Sequence, residues 1–264
     1  NSDREAGVCG VSSVVAVAAR KLEDAQEFAK KHSIPKVYGS YEELARDPDV
    51  DVVYIGVIHP CHLKTCLLYT NAKKNVLCEK PLAMNTKEVK EILASAKLND
   101  VFFMEAVWTR FFPASVEIRR LLAPGVQAMG VCLETGNVKV TSMTVIVTLK
   151  FSRNRMAVFI CSSGWKLVND AVNVGTKGII KGRSCPVCLR GRLRKNIINI
   201  YKVLDNLMSL FIYFFTKSNC SIPDTLRFRL RPLRDISHAD SLLLAEVEDE
   251  IRRQVGVTYS QDCQ

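Results

Sequence analysis

Four short apolar runs lie between residues 14 and 104, and helix-opening signals separate them. The runs are Val14–Ala19, Asp51–Ile55, Val76–Cys78 and Val101–Met104. Each is apolar almost throughout, the pattern of a parallel strand covered on both faces. Between them, apolar residues recur at helical spacing: Leu22, Ala25, Phe28 and Ala29; then Leu63, Cys66 and Leu67; then Val89, Ile92, Leu93 and Ala96. Ser40 with Glu43, and Asn85 with Glu88, form capping boxes that open helices. Strands alternating with helices predict an α/β fold, half or more of a doubly wound parallel sheet.

In such sheets ligands lie outside the carboxyl ends of the strands. The run Val76-Leu77-Cys78-Glu79-Lys80-Pro81 puts Glu79 and Lys80 at such an end, and Pro81 stops the strand because it has no amide proton to donate. A lysine there can reach a bound cofactor and substrate; the plainer reading is a solvated Glu-Lys turn. The strand at 51–55 runs into Gly56-Val-Ile-His59-Pro60-Cys61-His62. Two histidines and a cysteine this close suggest a metal, but a structural zinc site needs four placed ligands and no partner set stands out. His62 starts the next helix as a packing or hydrogen-bonding residue. In Glu105-Ala-Val-Trp108-Thr-Arg110-Phe111-Phe112-Pro113, an indole, two phenyl rings and an arginine suit an apolar pocket wall with a polar handle, or a layer of core aromatics.

These pieces together, with Val14–Arg20, Tyr38–Leu44, Val53–Pro60 and Met104–Pro113, resemble the glucose-fructose oxidoreductase and inositol dehydrogenase-like family. Within it they look most like the dimeric trans-dihydrodiol dehydrogenases. The resemblance covers about residues 14–124, with patches at about 144–181 and 241–264. It implies a Rossmann-like NADP-binding domain at 1–124, then an α+β domain at 125–264 with a largely antiparallel open sheet whose face makes a homodimer. It implies hydride transfer to NADP from trans-dihydrodiols of aromatic hydrocarbons and D-xylose-like sugars. Lys80 is the implied catalytic residue. Arg20, His59, Pro60, Glu79 and Lys80 border the cofactor, and Trp108 and Arg110 border the substrate. Arg20 and Lys21 follow the strand that faces the adenosine ribose, where an acidic residue would favour NAD; a guanidinium there can pair with a 2′-phosphate.

The likeness has gaps. Gly7-Val-Cys-Gly10 does not make the G-x-G-x-x-G fingerprint and no apolar run precedes it, so the family's first strand and phosphate loop are expected to be missing. The relatives' catalytic tyrosine lies in a segment with no counterpart at 125–143, and neither Tyr201 nor Tyr213 has a matching context. Thr144–Phe151 and Met156–Ile160 predict a hairpin, and 173–180 a second strand pair turning at Gly175–Gly178. Residues 182–220 are atypical, with one Cys185-Pro-Val-Cys188 and an apolar run at 207–215 too short to cross a bilayer. Ser241–Val255 predicts a helix with Leu244, Val247, Ile251 and Val255 on one face, ended by Gly256.

Scattered cysteines, ten in all, read as reduced thiols of a cytoplasmic protein, and no apolar leader opens the chain. The net charge of +10 is concentrated at 190–234, where ten Lys or Arg face only Asp205 and Asp224. That patch leaves a basic nucleic-acid or membrane-surface protein as one rival, without a motif to support it. The other rival is a catalytically inactive truncated isoform that at most oligomerises.

Overall fold

The computed structural model describes residues 14–107, 110, 118, 120, 138–141, 144–151, 155–164, 167, 170–175, 178–183, 192–193, 198–199 and 237–263. Residues 1–106 with 206–241 form one unit, and 107–205 with 242–264 a second.

In the first unit the expected parallel architecture is present. β1 (Ala16–Ala18) pairs with β2 (Lys36–Tyr38), and β4 (Asn75–Glu79) lies between β3 (Val52–Ile55) and β5 (Phe103–Ala106), all parallel. Among the described residues no strand joins the β1–β2 pair to the three-stranded sheet. The helices are α1 (Leu22–His32), α2 (Tyr41–Arg46), α3 (His62–Asn71) and α4 (Thr86–Leu98). Both capping boxes form. The Ser40 hydroxyl accepts the Glu43 N–H at 3.2 Å, and Asn85 accepts the Glu88 N–H at 2.9 Å. Each glutamate reaches back to the N–H just before the cap, Gly39 or Met84.

The core sits under β4. Val76, Leu77 and Cys78 are fully buried, with Val89, Ile92 and Ala96 of α4. Each large aliphatic among them contributes about 1.5–3 kcal/mol by leaving water. Three expected faces differ. β1 is only half-buried, because a single neighbouring strand covers it among the described residues. On α1, Ala25 and Ala29 are buried but Leu22 and Phe28 are exposed; Phe28 instead stacks on His32 with ring centroids 4.4 Å apart. On α3 the buried face is His62, Thr65, Cys66, Tyr69 and Thr70, one residue round from Leu63 and Leu67. His62 lies on this face, with its ring nitrogens on the carbonyl oxygens of Pro81 and Val57.

β5 starts two residues later than its apolar run, which brings Glu105 inside the strand. The Asn75 side chain accepts the Phe102 N–H at 2.9 Å and sets this start.

The second unit is antiparallel where it is described. β6 (Val138–Thr141), β7 (Thr144–Phe151) and β8 (Arg155–Ser162) form a meander, with Thr144 opposite Ser162 and Phe151 opposite Arg155. β9 (Asp170–Gly175) turns into β10 (Gly178–Arg183), with Gly178 at φ +142°, a conformation that favours glycine. Short strands β11 (Arg192–Leu193) and β12 (Ile198–Asn199) pair in turn. Helix α5 (His238–Val255) ends at Gly256, φ 73°, where Gly256 and Val257 donate back to Arg253 and Arg252. Ser241 and Ala245 are its buried residues and Leu244 is exposed, so its inner face is not the one the spacing predicts. Past the helix, Arg252 fastens the tail with two bonds to Asp262, at 2.6 and 3.2 Å, and a stack on Tyr259.

Candidate active site at the strand ends

Lys80 stands at the carboxyl end of the central strand β4 with its side chain exposed. Its backbone N–H donates to Glu79 Oε2 at 3.2 Å. The other Glu79 oxygen accepts the Tyr54 hydroxyl from β3. Burial, then the hydrogen bond to the Glu79 carboxylate, pushes the Tyr54 phenol above its ordinary range. Tyr54 escaped the sequence reading. The available signal was a lone hydroxyl inside the apolar run at 51–55, next to the end of its strand.

The turn after Lys80 is gripped from three sides. His59 Nε2 lies 2.7 Å from the Ala83 carbonyl oxygen. His62 Nδ1 lies 2.9 Å from the oxygen of Pro81 and 3.2 Å from that of Leu82. His62 Nε2 lies 3.0 Å from the Val57 oxygen. Glu105 Oε1 accepts the Leu82 N–H at 3.1 Å. Both His62 and Glu105 are buried. Burial pushes the Glu105 carboxyl up, against the lowering effects of Ser241, the Leu82 N–H and His62; its Oε2 nevertheless has no hydrogen-bond partner among the described residues. Burial opposes charge on His62, while the Cys78 sulfur and the carbonyls of Val57 and Pro81 favour it; the balance lies upward, to about 9. Pro60 is exposed in the 3-10 turn His59–Cys61 that leads into α3. His62 places both ring nitrogens on carbonyls, and no group of three His, Cys, Asp or Glu that could hold a metal occurs among the described residues.

Arg20 and Lys21 lie at the carboxyl end of β1, both exposed, and Lys21 is the N-cap of α1. With Ala19, Asp24 and Tyr41 they line a cleft of about 490 Å³. Two cations against one carboxylate, with a phenol ring at the edge, can hold an anionic group such as a dinucleotide presents. The structure thus gathers Glu79, Lys80, His59 and Pro60 around the ends of β3 and β4, and holds Arg20 at the end of β1. Arg110 is half-buried, with its N–H on the Val107 oxygen at 3.1 Å. Trp108, Tyr201 and Tyr213 lie outside the described residues.

Residues 2–107 match the family model described as an oxidoreductase family with an NAD-binding Rossmann fold, GFO_IDH_MocA. A trans-1,2-dihydrobenzene-1,2-diol dehydrogenase from Danio rerio is 44% identical over 308 aligned positions, spanning 95% of this chain and 91% of the relative. The chain belongs to the Gfo/Idh/MocA oxidoreductase family. The human protein of the same name is 36% identical, over 94% of this chain and 90% of its own length. Solved Gfo/Idh/MocA-like folds agree in architecture. An aldose-aldose oxidoreductase from Caulobacter crescentus complexed with glycerol superposes with TM-score 0.71 at 16% identity, covering 93% of this chain and 90% of its own. A 3-ketoreductase from Actinomadura kijaniata in complex with NADP gives 0.68 at 16% identity, covering 92% and 89%. This Gfo/Idh/MocA chain is therefore an enzyme-family member with a Rossmann domain. The 308-position alignment is longer than its 264 residues, so the relative carries segments this chain lacks within the aligned span.

Proposed function

We propose that this protein is an NADP-dependent dehydrogenase of trans-dihydrodiols of aromatic hydrocarbons and of D-xylose-like sugars. The observation that carries the reading is an exposed lysine, Lys80, at the carboxyl end of the central parallel strand, in a chain 44% identical to a protein named for such a diol. A bound nicotinamide would supply the acceptor for the hydride. The ammonium of Lys80, near the alcohol oxygen, would stabilise the negative charge that develops there as the hydroxyl proton passes to a base or to water. Glu79 orients the start of this turn through the Lys80 N–H and is itself steadied by Tyr54. Trp108 and Arg110 are proposed to wall the substrate pocket. On this reading residues 1–124 carry the cofactor and 125–264 the substrate and dimer surfaces. Formation of reduced nicotinamide from a trans-dihydrodiol, compared with D-xylose, tests it; no reduction with either would reject it.

NADP, in preference to NAD, follows from Arg20 beside Lys21 in the cleft at β1. A charge-assisted bond to the 2′-phosphate is worth about 1.5–3 kcal/mol, so Arg20→Ala should cut the NADP-over-NAD preference roughly tenfold or more. Titration of both nucleotides reads this directly. Equal affinities in the parent and in the variant would remove Arg20 from recognition.

A homodimer through the open sheet is the proposed assembly. Cross-strand register puts Ile146, Met156, Val158 and Ile160 on one face of β7–β8, and all four are exposed. Val147 and its partner Phe159 lie on the other face, where Val147 is fully buried. An exposed apolar face of this kind marks an interaction surface. Val158→Glu should convert a dimer to monomers in sedimentation velocity; an unchanged mass would move the interface elsewhere. Cys61, Cys66, Cys78, Cys161 and Cys263 are free thiols, which supports a proposed cytoplasmic placement.

A second reading, a catalytically weak isoform, rests on the segments that the relative has and this chain lacks. It is tested by the second experiment of the Discussion.

A further inference from the structure

We propose that His62 and Glu105, both buried, hold the two poles of the Pro81–Leu82 peptide and so serve as the positioning device for Lys80. The geometry carries this. His62 Nδ1 faces the Pro81 oxygen at 2.9 Å and the Leu82 oxygen at 3.2 Å, and Nε2 faces the Val57 oxygen at 3.0 Å. Carbonyl oxygens only accept, so both ring nitrogens must donate. A neutral imidazole has one N–H, and its remaining lone pair would point at a carbonyl oxygen from a ring only 1% exposed. The ring is therefore an imidazolium.

The peptide after Pro81 is held at both poles. Its carbonyl meets the cationic ring, and its N–H, that of Leu82, meets the Glu105 carboxylate at 3.1 Å. Cation on the oxygen and anion on the N–H is the arrangement that stabilises a peptide dipole most. Both clamping side chains are buried, with 1% exposure for His62 and 5% for Glu105, so solvent does not dilute their fields. The peptide they fix is one residue from Lys80, which itself projects into solvent. An exposed lysine gains directional precision only from its backbone, and here the backbone is held by residues from α3 and β5.

The groups facing the His62 ring are known from each element packed on it. Cys78 comes from β4, with Cys66 of α3 against Cys78; Glu105 comes from β5; and the His59 ring lies edge-on from the preceding turn, 5.5 Å between centroids. The bond to Cys66, then burial, pushes the Cys78 thiol up, and Glu105 is the carboxylate among them. His62 holds its proton more tightly folded than free. The clamp is thus complete below the ordinary histidine value and is released as pH rises through about 9.

The experiment is nitrogen NMR of the full chain labelled at its four histidines, His32, His59, His62 and His238. One ring should show two protonated nitrogens at pH 7.5 and titrate near pH 9. His62→Gln should remove that signal. Should His62→Gln fail to fold, His32→Gln, His59→Gln and His238→Gln assign it by elimination. Glu105→Gln keeps an acceptor for the Leu82 N–H but removes the charge, and should lower the titration midpoint. A His62 ring with a single protonated nitrogen at pH 7.5, or a midpoint indifferent to Glu105→Gln, would overturn the pair.

The link to Lys80 rests on the dehydrogenase reading. In single turnovers His62→Gln should slow hydride transfer about tenfold while NADP affinity stays within about threefold, the signature of lost positioning. Unchanged transfer would overturn the positioning role. Absence of any turnover in the parent chain would count against the dehydrogenase reading, and the ring's protonation would still decide the clamp.

Discussion

Lys80→Met should lower turnover by about 10²–10³-fold while leaving nucleotide affinity within a few-fold, because one preorganised donor to developing charge is worth about 3–4 kcal/mol in the transition state. Methionine keeps the length of the side chain and removes only the ammonium. Folding should be untouched. The side chain is exposed, and the hydrogen bond made at this position is a backbone one, Lys80 N–H to Glu79. Tm should therefore move by no more than a degree or two, roughly what an exposed substitution costs. Lys80→Arg should not restore the rate, since a planar fork cannot replace a compact ammonium at a single oxygen. Rates are read as reduced nicotinamide formed from a trans-dihydrodiol. Undiminished turnover in Lys80→Met would take this residue out of the chemistry and leave it a solvated turn residue.

The second large effect concerns proton transfer. The aligned span of the Danio rerio relative exceeds the length of this chain, and no tyrosine at 125–143 can pair with Lys80 because that stretch contains none. A positioned general base contributes about 10²–10⁴-fold. Grafting the tyrosine-bearing segment that the resemblance implies between residues 124 and 144 should therefore raise turnover of a trans-dihydrodiol by about that factor, with little change in nucleotide affinity. The comparison is made on the chain as it stands, on the graft, and on the graft with its tyrosine changed to phenylalanine. Turnover equal to that of the relatives in the ungrafted chain would place the base elsewhere. Tyr54 would then be the first residue to test, since its hydroxyl already rests on Glu79 beside Lys80. His59, Tyr201 and Tyr213 would follow.

The parallel strands, the two capping boxes, the β7–β8 hairpin and the Gly175–Gly178 turn were all legible from neighbouring residues, because caps, turns and apolar periodicity are local physics. The place of Lys80 at a strand end was legible for the same reason: a strand end followed by proline is written in six consecutive residues. Which face each helix buries was less so. Leu22, Phe28 and Leu244 fit an apolar stripe and yet are exposed, since periodicity names a stripe without saying how much of it a neighbour will cover. His62 was seen as a helix-start hydrogen-bonding residue, and it is one. Its partners Pro81 and Leu82, however, lie 19 and 20 residues away, and Glu105 reaches Leu82 across 23. No local pattern joins those positions. Only the stacking of β3, β4 and β5 side by side carries the loop before α3, the turn after β4 and the carboxylate on β5 to the same buried point, where low dielectric turns a histidine and a glutamate into a clamp.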